Sequence, residues 1–104
     1  MAQFDVFVNP LPSARRAYPF VVVMQSDIAH NTSDQIVAPL VPKASMPKGA
    51  GPLTPVVAVN GRDLIVIVPR LAAIRSRDLT ETQCSIAAAR RDLLAAIDYL
   101  FFGV

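Results

Sequence analysis

Cysteine, histidine and glutamate occur once each, as Cys84, His30 and Glu81. A single thiol cannot close an internal disulfide, and with one histidine it cannot furnish a zinc site, so a reducing compartment is expected and no metal or cofactor is. A hydrolase needs a nucleophile beside a base, or two carboxylates held at working distance. The aspartates are spread singly, and His30 sits in the polar turn Asp27-Ile28-Ala29-His30-Asn31-Thr32, where it reads as a solvated loop residue. Cys84 has no activating partner nearby in sequence and reads as a bystander thiol. With no dinucleotide fingerprint and no P-loop, the chain is not expected to be an enzyme and has no catalytic residues to name.

Runs of charge are equally scarce. The formal net charge is +2 and no basic run exceeds the pairs Arg15-Arg16 and Arg90-Arg91, which is too little to predict nucleic-acid binding. No apolar stretch approaches the roughly 18–20 residues that span a bilayer, because Pro, Arg and Asp interrupt every candidate. The opening Met1-Ala2-Gln3-Phe4-Asp5-Val6 lacks the charged start and apolar block of a secretory signal. The expectation is a soluble cytoplasmic protein with no membrane partner. Its 104 residues fit one domain, 1–104. At 53% hydrophobic and a mean hydropathy of +0.42, it carries more apolar material than one small monomer buries, which predicts a homodimer.

Proline is missing after Pro69, and glycine is missing between Gly61 and Gly103. Residues 1–69 therefore read as strands and turns, and residues 70–102 as able to hold a helix. Phe4 to Val8 suits a first strand, Phe20 to Met24 a strand buried on both faces, and Ile36 to Val41, with Pro39 inside it, an edge or bulged strand. Pro42 to Pro55 reads as a loop with room for a short hairpin. Val56–Val59 and Asp63–Val68 flank Asn60-Gly61, the pair suited to a type I′ hairpin turn. Asp27 reads either as a turn-stabilising residue or as a functional one.

The helix is expected to begin near Ser85, with its hydroxyl capping the following amides. At 100° per residue, Ile86, Ala89, Leu93, Ala96, Ile97, Leu100 and Phe101 fall on one side, predicted to face the core, with Arg90 intruding among them. Arg91, Ala95, Asp98, Tyr99 and Phe102 fall on the other side. A helix that frays into solvent ends in polar residues, whereas this one ends Tyr99-Leu100-Phe101-Phe102-Gly103-Val104. Two readings of that ending stay open, a dimer interface and a hot spot for another protein, with Gly103 letting the chain leave the helix.

Taken in order, Gln3-Phe4, Gln25-Ser26-Asp27-Ile28, Val37-Ala38-Pro39-Leu40, Pro55-Val56-Val57 and Phe101-Phe102-Gly103-Val104 resemble CcdB, the family of gyrase-poisoning toxins of plasmid-addiction modules. The resemblance spans nearly the whole chain. It implies a mainly β fold, an SH3-like β-barrel with a small accessory sheet and one C-terminal α-helix, assembled as a homodimer. It also implies a toxin that enters the DNA gyrase A-subunit dimer with its paired C-terminal helices and traps the enzyme on cleaved DNA. DNA would then be met only through gyrase or the antitoxin, a partner whose disordered C-terminal segment folds on the toxin and removes it. The implied gyrase-binding residues are Phe102, Gly103, Val104, Tyr99, Asp98 and Ile28.

The family ending is Trp-Gly-Ile, with the tryptophan stacking on a gyrase arginine. Phe102 in its place loses about 0.5–1 kcal/mol of stacking. Val104 for isoleucine loses about 0.8 kcal/mol if buried. Together these weaken binding to the same surface roughly tenfold or more. Asp98 stands where the best-known member has asparagine and adds a charge that could compensate. Two other functions fit the same barrel: an endoribonuclease toxin of the MazF and Kid type, and a non-toxic relative that keeps antitoxin binding alone.

Overall fold

The structure is a computed structural model that describes residues 1–29, 33–46 and 51–103. His30, Gly49 and Val104 lie outside the described residues. Among the described residues seven strands, β1 (Asp5–Val8), β2 (Phe20–Val23), β3 (Asp34–Pro42), β4 (Val56–Val59), β5 (Arg62–Val66), β6 (Ala72–Arg75) and β7 (Thr82–Ser85), precede one α-helix, α1 (Arg90–Phe102). The strands make a single curled antiparallel sheet in the order β4-β5-β3-β2-β1-β7, with β6 branching from β3.

Strands buried on both faces show in the sequence as continuous apolar runs, and this sheet shows how each face is used. Val6, Val22, Ala38, Leu40, Leu64 and Val66 point to the main core, where Ile86, Leu93 and Ala96 cover them. Their neighbours along the strands point the other way, Phe7, Val21, Val23 and Val37 into a second cluster that Leu79 joins from outside the strands, and Val41 and Ile65 into a third with Ile67, which follows β5. The period of two is kept on every central strand. The β4–β5 hairpin turns on Asn60 (φ 51°) and Gly61 (φ 81°), both left-handed as a type I′ turn demands.

Three expectations need correction. The strand containing Pro39 is central: β3 pairs with β2 along one side and with β6 and β5 in succession along the other. The Pro39 carbonyl accepts the Ile67 N–H (2.9 Å), so its missing N–H lies on that same side. It falls between the last β6 pair, at Val37, and the first β5 pair, at Leu40, where the partner strand changes and no ladder bond is lost.

The helix begins at Arg90, and residues 70–89 hold β6, β7 and short 3₁₀ turns instead. The Ser85 hydroxyl does accept an amide, from Ala87 (3.1 Å), but there it supports the 3₁₀ turn Ala87–Ala89 that leads into α1. Of the segment 42–55, Pro42 ends β3 and pairs with Leu64, and the other described residues form turns and bends, with a 3₁₀ turn at Lys43–Ser45.

The third correction is Phe101, which is 62% exposed rather than in the core. Ile86, Ala89, Leu93, Ala96, Ile97 and Leu100 do pack on the main cluster, as the helical periodicity predicts. Phe101 lies about 80° round the helix from Leu93, at the margin of that stripe, and the sheet does not reach it.

Candidate functional site

The last turn of α1 is where the apolar surface concentrates. Tyr99 is 47% and Phe102 is 74% exposed, beside Phe101. The helix stops because Gly103 takes a left-handed φ of 75° while its N–H still donates to the Tyr99 carbonyl (3.0 Å). That conformation is favourable for glycine, so the chain turns away directly after Phe102. Of the sequence-predicted residues, Asp98, Tyr99, Phe102 and Gly103 are gathered here, all exposed, and Val104 lies outside the described residues.

Ile28 stands on another element, the 3₁₀ turn Asp27–Ala29, and is 91% exposed, the most open large apolar side chain among those described. Its N–H donates to the Ser26 hydroxyl (3.2 Å). The stem of that turn, Met24 and Gln25, reaches the helix end through an apolar groove of about 480 Å³, whose other walls include Ile36, Leu71, Ile97 and Phe101. Aromatic and aliphatic side chains set around a concave patch are what protein partners select for. Tyr99 faces a second groove of about 420 Å³, with Pro52, Pro55, Asp92 and Ala95.

The Arg90 side chain, out of place on the apolar side of the helix, is accounted for by the N-terminus. Its Nη1 donates to Gln3 Oε1 (3.0 Å) and its guanidinium lies over the Phe4 ring, 5.9 Å from the centroid. Asp27 is drawn to the same place, its Oδ1 accepting the Gln3 N–H at 2.7 Å. That bond spans 24 residues.

A family model described as CcdB protein matches residues 3–103. The chain belongs to the CcdB family. Membership supports the role of toxin in a toxin–antitoxin module, and CcdB toxins are not enzymes. No curated protein matches the chain.

One grouping was not legible beforehand. A cleft of about 270 Å³ brings Arg15 and Arg77 beside Asp78 and Glu81, the charge types a CcdB-type barrel would need for RNA cleavage. Two of its groups are already engaged. Arg15 Nε donates to the Asn9 carbonyl (2.6 Å), and Asp78 pairs with Arg75 at 3.3 Å. Cys84, on β7, packs against the main core, as a bystander thiol would. No described helix is long and apolar enough to cross a membrane.

Proposed function

We propose that the chain is a single-domain, non-enzymatic toxin that binds the DNA gyrase A subunit in the bacterial cytoplasm and traps gyrase on cleaved DNA. The observation that carries this reading is the helix end: Phe102 is 74% exposed on a helix terminated by a left-handed Gly103, inside a chain of the CcdB family. An aromatic ring that contributes nothing to its own core and stands at a fixed helix end suits a contact with a partner. Asp98, Tyr99, Phe102, Gly103, Val104 and Ile28 are the proposed contact residues. Phe102 stacks on an arginine of the target, and Asp98 offers that cation a counter-charge.

The groove beside Phe101 supports a homodimer. It is apolar, and the chain's excess of hydrophobic residues is unrelieved by the monomer's own packing at Ile36 and Phe101, both still exposed. A second copy covering it would bring two helix ends together. A cognate antitoxin with a disordered C-terminal segment would fold on the same dimer and release it from gyrase.

The test is titration of the protein, and of Phe102→Ala, against the gyrase A subunit of the same organism. Binding by the parent and its loss in the variant, with unfolding unchanged, is the expected result. The cleft at Arg15, Arg77 and Glu81 keeps the ribonuclease reading open to experiment. Sequence-specific cleavage of RNA by the pure protein, abolished in Glu81→Gln, would replace the gyrase reading.

A further inference from the structure

Gln3-Phe4 and Gln25-Ser26-Asp27-Ile28 are far apart in the chain and meet through polar bonds at the edge of the core. The Gln3 N–H donates to Asp27 Oδ1 (2.7 Å), its side-chain Nε2 donates to the Met24 carbonyl (3.1 Å), and its Oε1 accepts from Arg90 Nη1 (3.0 Å). One residue thus joins the end of β2, the turn that carries Ile28 and the first turn of α1.

The next residue is held just as closely. Phe4 is buried, with a left-handed φ of 71°, and its N–H donates to the Val23 carbonyl (2.7 Å) while its carbonyl accepts from Ile86 (2.9 Å). A left-handed backbone at phenylalanine is unfavourable by itself and persists when its surroundings hold it on every side. The N-terminal turn is therefore a built connection between elements and not a loose end.

We infer that Gln3 and Asp27 are positioning residues, which fix the Ile28 turn relative to α1 so that Ile28 and the aromatic helix end form one preorganised contact surface. The 3₁₀ turn Asp27–Ala29 carries an isoleucine that is 91% exposed, so the Ile28 side chain does not itself anchor the turn. Its stem, through Met24 and Gln25, also walls the groove beside Phe101, so a shift of the turn would deform that groove. Holding the turn in place before binding removes the ordering cost a partner would otherwise meet. The inference deepens the proposed gyrase reading and rests on it for the identity of the target.

The experiment compares Asp27→Ala, Asp27→Asn and Gln3→Ala by amide hydrogen exchange in the free protein and by affinity for the gyrase A subunit. Asp27→Ala is expected to speed exchange at the Gln3 and Ile28 amides by roughly tenfold or more, with core amides such as Val22 and Leu93 unchanged. It should weaken binding about tenfold. Asp27→Asn keeps an oxygen acceptor and should recover to within about threefold of the parent in both measurements. Gln3→Ala keeps the backbone bond to Asp27 but loses those to Met24 and Arg90, and should fall between.

Unchanged exchange in Asp27→Ala overturns the clamp whatever the target. Faster exchange with undiminished binding overturns the positioning role. Equal loss of binding in Asp27→Asn and Asp27→Ala, with exchange restored in Asp27→Asn, makes the carboxylate a direct contact and overturns it too. A parent protein that binds no gyrase A refutes the target reading, and the exchange measurement then judges the clamp alone.

Discussion

Phe101 and Phe102 are neighbours in sequence, yet Phe101 walls the apolar groove with Ile36 and Leu71 whereas Phe102 lies 100° further round α1, outside the residues that line that groove. Their exposure, 62% and 74%, leaves both outside the monomer core.

The role proposed for Phe101 is in assembly. Phe101→Ala should destabilise the monomer by about 1 kcal/mol or less, as truncation of an exposed side chain does. Leu93→Ala, at the centre of the main core, should cost about 2–5 kcal/mol. Sedimentation of the parent as a dimer, and of Phe101→Ala shifted toward the 11.2 kDa monomer, is the expected outcome. A variant that remains as dimeric as the parent would place the dimer contact elsewhere.

Arg90 joins the helix start to the N-terminal turn. Removing it in Arg90→Ala loses one hydrogen bond to Gln3 and the stack over Phe4, together about 1–2 kcal/mol in thermal or urea unfolding. Arg90→Lys should recover part of this by keeping a charge near Gln3, and less of the stacking, because lysine lacks the planar guanidinium. Equal stability of parent and Arg90→Ala would show the pair to be a surface contact of no weight.

What the sequence revealed follows from where each segment finds its structure. The central strands and the Asn60-Gly61 turn carry their instructions locally, in apolar runs and in residues that tolerate positive φ. β6 and β7 do not. Ala72–Arg75 and Thr82–Ser85 are short, largely exposed and without apolar alternation, and they become strands because β3 and β1 offer them an edge. Pro39 misled for a related reason, since its harmlessness depends on where β6 ends and β5 begins. At the site, the open aromatic end of α1 was legible from the helical period. The side of Phe101 was not, because an angle of about 80° from the core axis is decided by how far the sheet extends. The bond from Gln3 to Asp27 spans 24 residues and leaves no periodic trace.

Gly61 tests the hairpin apart from the binding surface. A Cβ at Gly61 would meet nothing within 4 Å, so Gly61→Ala introduces no clash and its cost is the left-handed φ of 81° alone. That cost is about 1–2 kcal/mol. Unfolding should shift by this amount while gyrase and antitoxin binding by the folded protein stay as in the parent. Weakened binding at a temperature where the variant is fully folded would mean that the β4–β5 hairpin takes part in recognition.

Phe102 gives the most decisive comparison, because its ring can be removed or enlarged without touching the core. Phe102→Ala, and deletion of Gly103 and Val104, should leave thermal unfolding and antitoxin binding almost unchanged, yet abolish gyrase A binding and cell killing. Phe102→Trp restores the larger π face, and a ring stacked on a target arginine should gain about 0.5–1 kcal/mol, a severalfold tighter Kd. The gain should shrink in Asp98→Asn if the Asp98 carboxylate steadies that same arginine, since the two contacts would then share one cation. Unfolding of Phe102→Ala at a clearly lower temperature would assign the ring to the dimer interface instead. Phe102→Trp binding more weakly than the parent would mean that the target pocket is shaped for the smaller ring.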